Sequence, residues 1–232
     1  MLSHSKLSSS ADATSYYKAD DYYSEYGAAP AKWIGQGAGE LNFDSTFNVN
    51  DFSNALEGRG PKGETLGVMK SGKRAVGWDF TFSPSKSVSI LALAMKDDRL
   101  IQAHDKAVVS AITYLEKNYA VTRVTKNGET KPVRTGNLLV AAFRHAISRE
   151  RDPQLHTHAV IVNTTKTKDG NWRALDSKTL YAAHSAASLV YTNALARGVL
   201  DAGYHIDQTD ASGGRMNYGC LLYTSPSPRD RG

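Results

Sequence analysis

Two dipeptides limit what this chain can fold into. Asn127-Gly128 and Asp169-Gly170 each lie between runs that read as strands. Both suit a tight hairpin turn, which needs residues that tolerate positive φ. A hairpin makes its flanking strands antiparallel, so a sheet of parallel crossovers alone is excluded. Tyr119 to Thr125 leads into the first turn, and the partner strand runs to about Arg134. QLHTHAVIVNTTK (154–166) precedes the second turn and NWRAL follows it. NLLVAAFRHAIS (137–148) is a further strand. So is GWDFTFS (77–83), where Trp78, Phe80 and Phe82 face one way and Asp79, Thr81 and Ser83 the other, the pattern of a half-buried strand.

Helical spacing fills much of the rest. Residues 11–26 read as a helix with Ser10 or Asp12 as N-cap, and Asp51 to Leu56 as a short helix ending near Gly58. Helices are also predicted over 85–94 and 98–118, the second with Leu100, Ala103, Ala107, Ala111 and Leu115 on one stripe. Residues 176–202 read as one long helix, 27–50 as loop with short pieces, and EGRGPKGETLG as turn. Hairpin-joined strands with helices grouped apart define an α+β protein, an antiparallel β-sheet flanked by helices.

The bulk properties exclude more than they select. One cysteine in 232 residues, Cys220, rules out an intrachain disulfide, and no apolar run reaches the roughly 18 residues of a membrane helix. MLSHSKLSSS has no apolar signal core, so a cytoplasmic protein without membrane insertion is expected. A net charge of +5 admits a polyanionic partner without requiring one. The last residues, 220–232, shift to Ser, Pro and Arg, and CLLYTSPSPRD resembles a translated sequencing adapter. They are expected to be a disordered artefact, with natural sequence ending near Gly219 and continuing in a longer protein.

His156 and His158 are two apart on a strand, so their imidazoles emerge on one face. His145 lies eleven residues earlier on another strand. If the strands are neighbours, three imidazoles converge and leave coordination positions open, as a catalytic metal site requires. The plain alternative is two surface histidines on a strand edge. Asp79 is either a solvent-facing carboxylate or one that orients a ligand histidine or takes a proton from a nucleophile.

SYYKADDYYSEY (15–26) packs five tyrosines into twelve residues. Tyr16 and Tyr23 are seven apart and share a helix face, which reads as packing. Beside a metal, a tyrosine has another use. Its attack on a phosphodiester stores the bond as a phosphotyrosine, which a free hydroxyl can reverse. Tyr16 and Tyr22 are six apart, a rise of roughly 9 Å on a continuous helix, so they could not share one in-line position.

Taken together, MLSH, YYKADDYY, GWDFTFSPSKSVS, TGNLLVAAFRH, SRERDPQLHTHAVIVN and DGNWRAL resemble the TrwC-like (MobF) conjugative relaxases over nearly all of residues 1–205. The resemblance implies the two-histidine (HUH-type) nuclease relaxase fold, with residues 1–219 as a C-terminally incomplete relaxase domain. It implies strand-specific nicking and transfer at a plasmid origin of transfer through a covalent 5′-phosphotyrosine. Tyr16 matches the first nucleophile and Tyr22 the second, with Tyr17 and Tyr23 as neighbours. Asp79 matches the acidic residue beside the nucleophile, and His145, His156 and His158 match the metal ligands. The implied ion is Mg²⁺ or Mn²⁺, whereas all-histidine ligation by itself suggests a softer ion such as Zn²⁺. Implied partners are single-stranded origin DNA, accessory relaxosome proteins and the coupling protein of a bacterial secretion system.

SPSKS stands where the family more often has SAPKS, and no G-x-x-x-x-G-K-[ST] occurs, so no helicase activity is expected of this chain. Arg74 in KSGKR, Lys86, Arg149 and Arg151 are candidate phosphate contacts, each equally readable as a solvated charge. Trp33 and Trp172 could stack on bases, although burial is the plainer reading. Two other readings stay open. One is a metal hydrolase that uses activated water, and the other a module that binds an origin without cutting it.

Overall fold

The computed structural model describes residues 1–19, 31–43, 47–67, 75–148, 150 and 152–206, with the backbone alone over 15–19. The tail 220–232 therefore lies outside the described residues. Five strands form one antiparallel sheet in the order β1-β3-β7-β6-β2. They are β1 (Leu2–Leu7), β2 (Lys32–Ile34), β3 (Gly77–Phe82), β6 (Val140–Ile147) and β7 (Pro153–Val162). The Asn127-Gly128 turn joins β4 (Val121–Lys126) to β5 (Glu129–Arg134) in a separate two-stranded ribbon. The Asp169-Gly170 turn joins β8 (Thr165–Lys166) to β9 (Trp172–Arg173).

Helices cover both faces of the sheet. On one, α4 (Lys86–Leu93), α5 (Asp98–Tyr119), α6 (Ser177–Ala182) and α7 (His184–Asp201) surround Trp78, Phe80, Phe82, Val140, Ala159 and Ile161. The predicted α5 stripe, Leu100, Ala103, Ala107, Ala111 and Leu115, is buried throughout. On the other, α1 (Ser10–Ala19), α2 (Gln36–Glu40) and α3 (Val49–Leu56) bring Ala13, Ala38, Phe52, Ala55 and Leu56 onto Ala141, Phe143, Val160 and Val162. Glu116 locks the layers together, its Oε1 accepting 2.8 Å bonds from the backbone N–H of Gln36 and of Leu138. Gly35 (φ +93°) permits that approach, because a Cβ there would meet the Leu138 carbonyl at 2.4 Å.

Five expectations change. The β3 strand is buried on both faces rather than half-buried, because α1 to α3 cover the side that carries Asp79. The α1 helix starts at Ser10, and Ser9 caps it, its Oγ accepting from the N–H of Asp12 at 3.2 Å. The helix over 176–202 is interrupted at the buried Ala183, and just beyond it His184 donates from Nε2 to the Leu2 carbonyl at 3.0 Å. The run 154–166 divides at Asn163, whose side chain donates to the Ala75 carbonyl at 2.7 Å and accepts from the Leu175 N–H at 3.1 Å. Within 27–50, Lys32–Ile34 pairs with β6 as an edge strand.

Candidate functional site

β6 and β7 are neighbours in register, with His145 directly opposite His156 and Phe143 opposite His158. β7 is the middle strand of the five, so its histidines are not on a sheet edge. Alternation puts His145, His156 and His158 on the face that also carries Asp79 and Thr81. The three ring centroids are 5.1–5.2 Å apart pairwise. One ligand nitrogen from each ring lies within 4.8 Å of the others, a grouping that could hold a metal ion. A register shift between His145 and Ile147 ends the regular ladder just beyond the cluster.

The electrostatics favour the ligating form. Burial, and then the positive charge that His158 and His156 would carry, lowers the His145 pKa to about 3. Burial also lowers that of His156, against the raising effect of its hydrogen bond to Gln154. Both rings are neutral at pH 7, as metal ligation requires. His156 donates from Nδ1 to the Gln154 carbonyl at 2.8 Å. His158 donates from Nδ1 to Asp79 Oδ2 at 2.6 Å, and Thr81 Oγ1 lies 3.1 Å from the same nitrogen. With both Nδ1 atoms engaged, Nε2 is the nitrogen each ring offers to an ion. A carboxylate behind a ligand histidine fixes its tautomer and raises its basicity. The donor set therefore fits a divalent cation, and neutral imidazoles suit first-row transition ions and zinc better than Mg²⁺.

Other predicted residues fall elsewhere. Tyr16 and Tyr17 lie in the last turns of α1, on the sheet face that carries the histidines, and their side chains are outside the described residues. Tyr22, Tyr23, Arg74, Arg149 and Arg151 also lie outside them. Lys86 opens α4 after the Ser85 cap, exposed and 3.7 Å from Asp152. Trp33 stacks on Phe43 at 4.2 Å, and Lys166 lies over Trp172 at 5.7 Å, so both rings have partners within the protein. Sequence reasoning placed Thr81 on the Asp79 face but gave it no role. Its signal was the D-x-T spacing, which sets a hydroxyl beside a carboxylate on one strand face.

Three histidines, one braced by a carboxylate, on central strands of a helix-flanked antiparallel sheet define the HUH-type nuclease relaxase fold. Residues 10–218 match the TrwC relaxase family, and the chain belongs to it. A metal-bound structure of conjugative relaxase TrwC in complex with oriT DNA is similar at 40% identity and a TM-score of 0.81, covering 90% of this chain and 73% of that one. A TrwC complex with a 27-mer DNA comprising the recognition hairpin and the cleavage site reaches 37% identity and a TM-score of 0.80, over 95% and 75% of the two chains. The multifunctional conjugation protein TraI of Escherichia coli is 43% identical over 179 residues, 76% of this chain and 10% of its own length. TraI of strain K12 is 37% identical over 218 residues, 89% and 12%. The chain thus spans about a tenth of these curated relatives. Among the described residues, no helix is long and apolar enough to cross a membrane.

Proposed function

We propose that this chain is a metal-dependent DNA relaxase that nicks and transfers one strand at a plasmid origin of transfer, initiating conjugation. Residues 1–219 are assigned to the relaxase domain. The observation that carries the reading is the grouping of His145, His156 and His158, with Asp79 behind His158, on the sheet face where α1 lies. Family membership and the similarity to DNA-bound TrwC support it. In this reading His145, His156 and His158 hold the ion, with Mg²⁺, Mn²⁺ and Zn²⁺ as the candidates. Bound there, a divalent ion supplies Lewis-acid neutralisation of the non-bridging phosphate oxygens. Asp79 keeps His158 oriented. Tyr16 Oη attacks the scissile phosphorus as its proton departs. The Tyr–O–P bond forms, the P–O3′ bond breaks, and the leaving oxygen takes up a proton as a free 3′-hydroxyl. The 5′-phosphate stays on the protein, so the number of phosphodiesters is unchanged and the step can be reversed by another 3′-hydroxyl. Tyr22 serves a later transfer, with Tyr17 and Tyr23 as substitutes for the two nucleophiles or as supports.

DNA contacts are assigned to Lys86, Arg74, Arg149 and Arg151, and accessory relaxosome proteins and a coupling protein are the partners that family membership suggests. The test is a covalent adduct. The protein is mixed with Mn²⁺ and a labelled single-stranded oligonucleotide carrying the hairpin and cleavage site of the cognate origin. An SDS-stable protein–DNA species is expected, and Tyr16→Phe should lose it. Clean hydrolysis that Tyr16→Phe leaves unchanged would replace the reading with a water-using hydrolase. Binding without cleavage would replace it with an origin-binding module.

A further inference from the structure

The residues that alternate with the ligands point to the opposite face of the sheet, and the helices there hold them. Arg144, beside His145, donates from Nη1 to Asp105 Oδ2 of α5 at 2.6 Å. The backbone N–H of Leu155, beside His156, donates to Ser89 Oγ of α4 at 3.2 Å. Thr157 sits between His156 and His158. Its Oγ1 is 2.7 Å from Nε2 of His104 on α5, and Nδ1 of that ring is 2.8 Å from Tyr191 Oη on α7. His104 and Tyr191 have no exposed surface, and Thr157 is 3% exposed. Burial lowers the His104 pKa to about 3, so the ring is neutral, with one nitrogen donating and the other accepting.

A core histidine of this kind could serve packing alone, but apolar residues of similar volume would do that without the cost of burying polar groups. What the chain of bonds adds is direction. A ring held at both nitrogens has few orientations that satisfy both partners, and it ties one particular residue of β7 to two helices at once. That residue is the one flanked by two of the three grouped histidines.

We propose that His104 is a positioning residue for the three-histidine site, acting through Thr157 to fix the segment of β7 between His156 and His158. The proposal rests on the metal-binding reading given above.

The test compares Thr157→Val with Thr157→Ser in the full chain. Affinity for Mn²⁺ alone is read from the free-ion EPR signal in a titration, and the Tm of the metal-free protein is read separately. Valine matches threonine in shape and suits a strand better than serine does, but it offers His104 no hydroxyl. Serine keeps the hydroxyl. Thr157→Val should weaken Mn²⁺ binding about 3- to 10-fold, less than the roughly 10- to 100-fold loss typical of partners that touch a ligand directly. Thr157→Ser should bind about as tightly as the unaltered chain, whatever it does to Tm. Equal affinity in the two variants overturns the proposal. If Thr157→Val gives no cooperative melt, Tyr191→Phe replaces it, removing only the outer hydroxyl. A weakening of about 2-fold or more there supports the proposal, and unchanged affinity overturns it. An unaltered, folded chain that binds no Mn²⁺ sinks the metal reading and this proposal together. Binding by the unaltered chain with no difference among variants sinks this proposal alone.

Discussion

On one face of the β6–β7 pair, three imidazoles gather their nitrogens around a common point. On the other, the residues between them are bonded into α4 and α5. The first arrangement is unfavourable by itself. It places three groups of one kind side by side, and burial keeps His145 neutral at the expense of its solvation. The second arrangement is ordinary core construction with every partner supplied by the fold. The difference teaches where precision comes from. Strand alternation lets a single chain segment present chemistry on one side while its backbone is located from the other. Ligands held this way need no loop to close before they are in place.

The largest expected effect alters the histidine face and leaves the opposite face intact. Asp79→Asn keeps the shape of the side chain but removes the charge that orients His158. Mn²⁺ affinity should fall about 10- to 100-fold, with little change in the Tm of the metal-free protein. Unchanged affinity would mean that Asp79 does not brace the site. The next effect reverses the choice of face. Gly198 of α7 packs so closely on α5 that a Cβ there would lie 2.5 Å from the Cβ of Ala103. Overpacking costs about 1–3 kcal/mol, and the better helix propensity of alanine offsets up to about 1 kcal/mol of it. Gly198→Ala should therefore destabilise the protein by about 1 kcal/mol in urea unfolding, with any loss of Mn²⁺ affinity well below that of Asp79→Asn. A loss of affinity as large as that of Asp79→Asn would break the distinction between the two faces.

Much of this comparison could be read from the residues, and the gaps have physical causes. HTH and FRH placed three histidines on two strands, and pairing of those strands supplied the convergence. Asp79 was assigned its face correctly but not its burial. A period of two shows which side a residue faces and not what covers that side, and α1 to α3 cover this one. Lys32–Ile34 was missed as a strand because three residues carry too little periodicity. The break at Ala183 was missed because the apolar spacing continues through it. His104 was legible in principle. It lies four residues after Leu100 and four before Val108, inside the buried stripe of α5. Nothing in its spacing could name Thr157 and Tyr191 as its partners, since 53 and 87 residues separate them in sequence.

The smallest expected effect is on pH dependence, and it isolates the opposite face. In the fold the His104 pKa is lowered to about 3 by burial, from an ordinary value of 6.5. As pH falls through 6.5 the unfolded chain takes up a proton that the folded ring refuses. The stability contributed by this neutral histidine is therefore fully present above pH 6.5 and is lost progressively as pH falls toward 3. Each such proton bounds the slope at about 1.4 kcal/mol per pH unit, so the loss between pH 7 and pH 6 is under about 1 kcal/mol. His104→Leu combined with Thr157→Val and Tyr191→Phe removes this titration and leaves no member of the bonded chain unpaired. The urea midpoint of the metal-free variant should fall less steeply from pH 7 to pH 6 than that of the unaltered protein. Equal slopes would show that His104 meets solvent protons as readily in the fold as out of it. The bonded chain from Thr157 to Tyr191 would then not be sealed within the core, and the reading of the opposite face as closed core construction would fail.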